Sequence, residues 1–273
     1  MKKEEGDLKK DTLLPGTITQ DGRRKFRVYI EKYRSNSVKS QEDFYKSVIS
    51  ALSLERMESY GDCKTDSLAV VSRYLLNMAL CENLYQPLQS CEIALRNAIH
   101  RYLSSLFKTE SWFDSNAFLL TDWAALQVEN AKKKIRNNKK PLTAGRLVAE
   151  LHFGFWTSFF EAHYEQKTSF LPKGIKQVFP YLPKEKHRRK EIKSNLERIR
   201  ILRNRVFHHE RIIHWKDLDE QYHLILDVIG YINPELYHLA EYSNRYISTR
   251  KAGLTPWLTH LKSHWSELEG TEI

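Results

Sequence analysis

Apolar residues along this chain recur at helical spacing, and no strand-like alternation persists. After Pro87, the residues Leu88, Cys91, Leu95, Ile99, Tyr102 and Leu106 step by three and four, which places them on one helix face. A helix capped at Asp66–Ser67 is expected to precede it and run to about Glu82. A loop with Trp112 and Phe113 follows, then a helix around Asp122–Ile135. Pro141 and Thr143 open the next, whose stripe is Leu147, Leu151, Phe155 and Phe159. Gly154 inside that helix costs about 1 kcal/mol relative to Ala, which points to a neighbouring backbone packed closely there. Loop signals cluster at Leu171–Gly174 and Pro180–Pro183. A basic helix then runs from about Glu185 to His208 or His209, and helices near Asp217–Ile229 and Pro234–Tyr246 complete the set.

This pattern predicts an all-α fold. Residues 1–35 are polar without a steady period and are expected to form a flexible or loosely packed arm. One helical domain is expected over 36–260, with a short tail over 261–273. No solenoid repeat is present, although LRNAIH at Leu95 faintly echoes LRNRVFH at Leu202.

Composition narrows the class. At 273 residues and 41% hydrophobic, the chain has enough for a sizeable core. It lacks the apolar run of about 20 residues that a membrane span needs, and its start has no apolar segment of a secretory signal. Three cysteines, Cys63, Cys81 and Cys91, make no disulfide framework, and the expected compartment is a reducing cytoplasm. The net charge of +10 is unevenly spread. Residues 184–211 carry eleven Lys and Arg against four Glu, and KKKIRNNKK from Lys132 to Lys140 has no acid. Either run alone suits a solvated helix face; the two together favour a polyanion such as nucleic acid.

On a helical wheel, Ile192, Leu196, Ile199, Leu202 and Val206 form one arc of the basic helix, and Arg203 falls inside it. Arg200, Asn204 and His208 line up along its flank. A guanidinium on a core-facing stripe needs a partner or an opening to solvent. Glu92, at the edge of the other long helix, offers one, pairing either with Arg96 one turn on or with Arg203 across the bundle. His208 and His209 suit a helix C-terminus without further role. No metal-ligand spacing, phosphate loop or family-like cysteine context appears, so no metal or cofactor is expected. Arg, Asn and His beside a basic surface fit cleavage of RNA through its own 2′-hydroxyl. That reaction needs a proton-transfer group of near-neutral pKa and fixed positive charge for the phosphorane. From these residues alone it is one candidate among several.

Arg203, Asn204 and His208 fit the R-N-x-x-x-H form of the HEPN ribonuclease motif, and LRNRVFHHE resembles the signature of bacterial Abi-like, or abortive-infection, proteins. Three segments match the family in order: YLLNMAL…PLQSCEIALRNAI, then Ser111–Trp112–Phe113, then VAELHFGFWTSFF, so the likeness covers roughly 50–235. The resemblance implies a HEPN-like bundle with additional helices, metal-independent endoribonuclease activity, a role in phage defence or toxin–antitoxin arrest, and a homodimer. It implies that Arg203 stabilises the phosphate, His208 transfers protons and Asn204 orients them. Glu92, Arg96, Asn97, Arg200, His209 and Glu210 would support or line the site. A straight helix sets Arg203 and His208 about 140° apart, which a dimer or a bend near His208 would reconcile. RNA contacts are expected at Lys132, Lys133, Lys134, Arg136, Arg188, Arg189 and Arg205, to substrate or to a small structured inhibitory RNA. The alternatives are a non-cleaving RNA-binding regulator of the same fold and a structural helical adaptor.

Overall fold

The computed structural model describes a short helical stretch within residues 24–29 and then residues 40–114, 120–166, 170–171 and 173–269. The arm expected over 1–35 lies outside the described residues except for that stretch. Among the described residues from 40 onward there are thirteen α-helices and no strand. They are α1 (Gln41–Leu52), α2 (Leu54–Glu58), α3 (Ser67–Phe107), α4 (Asp122–Asn137), α5 (Ala144–Glu150), α6 (Phe153–Ser158), α7 (Ala162–Gln166), α8 (Lys173–Val178), α9 (Arg189–Phe207), α10 (Leu218–Ile232), α11 (Pro234–Tyr242), α12 (Tyr246–Ala252) and α13 (Thr255–Glu269). Short 3₁₀ turns occupy Trp112–Asp114 and Lys184–Lys186.

The 41-residue α3 is the shaft of the molecule, with α1, α6, α8, α9, α10, α12 and α13 packed along it. Its N-terminus is capped as expected, the Asp66 carboxylate accepting from the Ala69 amide at 3.2 Å. The break expected at Pro87 does not occur. A proline inside a helix leaves the carbonyl four residues earlier without its N–H. Here that carbonyl belongs to Asn83, and the Asn244 side-chain amide donates to it. Asn83 in turn donates to the Thr249 hydroxyl at 3.2 Å. The loop between α11 and α12 thus repairs the shaft where proline would interrupt it.

The helix expected from Thr143 is instead three short ones. His152 is extended and caps α6, its Nδ1 accepting from the Phe155 amide at 3.3 Å. The stripe still faces inward: Leu147, Leu151, Phe155 and Phe159 are all buried. Phe155 and Phe159 join Trp112, Trp156 and Phe170 in an aromatic centre, with edge-to-face pairs such as Phe155–Trp156 at 5.0 Å. Each such pair contributes about 0.5–1.5 kcal/mol beyond its burial.

A second, smaller core of Tyr45, Ile49, Met57, Tyr60, Cys63, Val70 and Val71 lies under α1 and α2. Ile213 packs against both cores, and Leu261 of α13 against the smaller one. The tail expected after Leu261 is therefore helical to Glu269.

Candidate functional site

The basic helix begins at Arg189, four residues later than expected, after the 3₁₀ turn at Lys184–Lys186. It buries Ile192, Leu196, Ile199, Leu202 and Val206, the arc read from the wheel. Arg203 emerges beside that arc. Its Nε–H donates to Glu92 Oε2 at 3.2 Å, the two side chains being 23% and 16% exposed. Glu92 thus pairs across the bundle rather than with Arg96, whose Nε is buried without a hydrogen-bond partner among the described residues. The Arg203 guanidinium also lies 4.3 Å from the Phe207 ring centroid, and Phe207 stacks on Tyr85 at 4.8 Å. One charge contact and one ring contact together fix where this arginine points.

Arg203 and Asn204 open into a groove of about 650 Å³ between α9, the start of α4 and α6. Trp123, His152, Gly154, Glu197 and Arg200 also line it. Arg200 grips Glu197 with both arms, Nε to Oε2 at 2.9 Å and Nη2 to Oε1 at 2.6 Å, which lowers the Glu197 pKa. His152 sits opposite. Its Nδ1 is occupied as the α6 cap, so Nε2 carries the hydrogen and donates to Gln127 Oε1 at 3.2 Å. Burial, and then the positive charges of Arg203 and Arg200, lower the His152 pKa, with Glu92 opposing. The close neighbour inferred at Gly154 is a side chain, not a backbone: a Cβ there would stand 3.2 Å from the His152 ring.

His208 does not line this groove. It caps the C-terminus of α9 and is exposed. His209 follows at φ 59°, a left-handed conformation that costs a non-glycine residue about 1 kcal/mol. It makes a Schellman turn: the His209 amide donates to the Val206 carbonyl at 3.2 Å and the Glu210 amide to the Arg205 carbonyl at 2.8 Å. The loop beyond is strapped to the smaller core. Arg56 donates to the His209 carbonyl and Arg211 to that of Ser59. Buried Asn77 of α3 accepts from the amides of Ile212 at 2.7 Å and Ile213 at 3.2 Å, and donates to the Glu210 carbonyl at 3.3 Å.

The other expected positions divide. Asn97 is half-buried on α3. Glu210 pairs with Arg205 at 2.9 Å, and Arg205 lies over Trp215. Lys133, Arg136 and Arg188 are exposed, and Lys134 is exposed while pairing with Glu150. Lys132 is turned inward, 9% exposed and held by Asp114 at 2.6 Å and Glu129 at 2.7 Å, so it is not placed to meet RNA. Arg189 is likewise engaged, with Glu165 at 2.6 Å and the Phe160 carbonyl at 3.2 Å. Sequence reasoning overlooked His152, Trp123 and Asn77. The signal for His152 was a polar residue just before Phe153–Gly154, masked by reading one continuous helix.

Burial pushes the Cys81 thiol up to about 11 and that of Cys91 to about 12, so neither is a thiolate near neutral pH. Among the described residues no group of three or more His, Cys, Asp or Glu is placed to hold a metal ion. No described helix is long and apolar enough to cross a membrane.

The family model described as Abi-like protein matches residues 25–214. No curated protein and no solved structure matches the chain.

Proposed function

The chain belongs to the Abi-like protein family, and on that premise we propose that it is a metal-independent endoribonuclease acting, toxin-like, in bacterial anti-phage defence within the cytoplasm. The observation that carries this reading is the pair Arg203–Asn204 near the C-terminal end of α9. It opens into a polar groove while Glu92 and Phe207 hold its guanidinium from behind. In the HEPN-type reaction the substrate's own 2′-oxygen forms a bond to phosphorus as the bond to the 5′-oxygen breaks, leaving a 2′,3′-cyclic phosphate and a 5′-hydroxyl. Arg203 stabilises the charge that builds on the phosphorane, since its fork matches two phosphate oxygens. Asn204 orients the phosphate, and His208 moves the proton from the attacking hydroxyl or to the leaving oxygen. The active unit in this reading is a homodimer. It brings the exposed His208 of one chain to the cleft that the other chain's Arg203 faces.

Wild type and His208→Ala, incubated with total RNA in EDTA, test the proposal. The expected result is cleavage by wild type alone, with cyclic-phosphate ends. A nuclease silenced by the chelator, or equally active without His208, would sink it. A second reading, a non-cleaving regulator bound to a small structured RNA, draws on the separation of His208 from the groove. It predicts RNA binding by both proteins and cutting by neither, even after co-purified RNA is stripped.

A further inference from the structure

Trp123 is the residue the reading above leaves without a task. It stands at the start of α4, 45% exposed, at the rim of the groove that holds Arg200, Arg203 and Asn204. Its indole meets the His152 ring edge-to-face at 5.8 Å, which fixes its orientation. A large, half-exposed aromatic ring beside phosphate-matching arginines is the combination that seats an unstacked base and its backbone.

The helix continues the theme. Trp123, Gln127, Asn130, Lys134 and Asn137 are spaced by four, three, four and three, so they form one stripe of α4. Ala124, Val128, Ala131 and Ile135 take the buried side. The stripe itself carries no acid; the acid paired with it is Glu150 of α5, on the exposed Lys134. Gln127 is already joined to His152, so the stripe begins in the groove. From Trp123 to Lys134 it extends about 16 Å at 1.5 Å per residue. The two glutamates that line the groove are both engaged: Glu197 by Arg200, and Glu161 facing Lys193 at 3.5 Å.

We propose that this groove and the α4 stripe form a track for single-stranded RNA. Trp123 stacks one base, Arg203 faces its phosphate beside the Glu197-paired Arg200, and the exposed Lys134 exchanges Glu150 for the backbone farther along. The proposal rests on RNA as the substrate class but not on cutting. Duplex RNA is excluded because its bases stack on one another and leave no face for the indole.

The test uses the full chain and a fluorescein-labelled oligonucleotide of roughly ten residues, fully 2′-O-methylated so that it cannot be cleaved, offered single-stranded and as a duplex. Wild type is expected to prefer the single strand. Trp123→Ala should weaken that binding roughly tenfold, Trp123→Phe less, and Lys134→Ala by a smaller, salt-dependent amount. Tyr242→Ala, which removes an exposed ring elsewhere on the surface, should bind as wild type does. Thermal melting shows that each variant is folded. Equal affinity of Trp123→Ala and wild type, equal affinity for duplex, or no binding by wild type would overturn the track. Nuclease activity with Trp123-independent binding would overturn the track alone. Trp123-dependent binding without any nuclease activity would overturn the catalytic reading alone.

Discussion

Glu92 of α3 and Arg203 of α9, 111 positions apart, meet through a single Nε–H···Oε2 contact at 3.2 Å. The pair is mostly buried, and Arg203 is the residue asked to face a phosphate. Removing the carboxylate leaves a guanidinium half out of water with its aim lost. Glu92→Ala is expected to cost about 2 kcal/mol, below the fully buried range because both groups retain some exposure. RNA cleavage should fall with it. Urea melts and cleavage assays of Glu92→Ala, Arg203→Met and the double variant test this. A double variant no more stable than Glu92→Ala would mean the unpaired charge was not the cause.

His152 gives the stability a pH dependence with a definite sign. Its folded pKa lies below the usual 6.5, through burial and then Arg203 and Arg200. Between that lowered value and 6.5 the unfolded chain holds more protons than the folded one. Stability therefore falls as pH drops through this window and recovers as pH rises above 6.5. His100 and His214 are shifted the same way, so wild type alone does not isolate one residue. His152→Asn does, since Asn keeps an acceptor for the α6 cap. The variant should lose less stability than wild type between neutral pH and about 5; parallel curves would exclude His152 as a contributor.

His209 occupies a position where glycine is the better fit. His209→Gly should raise stability by about 0.5–1 kcal/mol, the left-handed cost removed less the entropy that glycine adds to the unfolded chain. Denaturant midpoints give the answer directly. A stability gain accompanied by weaker RNA cleavage would mark His209 as a residue kept for its imidazole at a cost in backbone energy.

The repair of Pro87 by Asn244 predicts a strongly non-additive pair. Asn244→Ala leaves a partly buried carbonyl without a donor and should cost about 1–3 kcal/mol. In the Pro87→Ala background the backbone N–H restored at position 87 satisfies that carbonyl, and the same Asn244→Ala change should cost much less. A double-mutant cycle on thermal stability measures the difference. Equal costs in both backgrounds would mean Asn244 acts elsewhere.

Much of this fold was legible from local periodicity. The arc Ile192–Val206 is buried as read, because a wheel argument depends only on residues within one helix, and Arg203 beside it pairs with Glu92, one of the two partners open to that carboxylate. The errors came where a distant residue overrides a local signal. Pro87 ends a helix by every local rule, and only Asn244, from beyond the basic helix, restores the missing partner. Lys132 belongs to an acid-free run, yet Asp114 from the preceding loop draws it inward. The Thr143 segment failed differently. Its inward spacing survives three short helices, so periodicity alone could not reveal the break at His152. The candidate site was half legible: Arg203 and Asn204 share a groove, while the imidazole in that groove is His152, not His208.

The family likeness ends at residue 214, but α3 is held from beyond that point. Asn244 and Thr249 grip it at Asn83, and α10 lays Tyr222, Ile225, Leu226, Val228 and Ile229 into the main core. The matched stretch therefore leans on contacts made by residues outside it. A gene fragment cut at the family boundary would encode the recognisable part of the protein and discard the clamp that keeps its central helix whole.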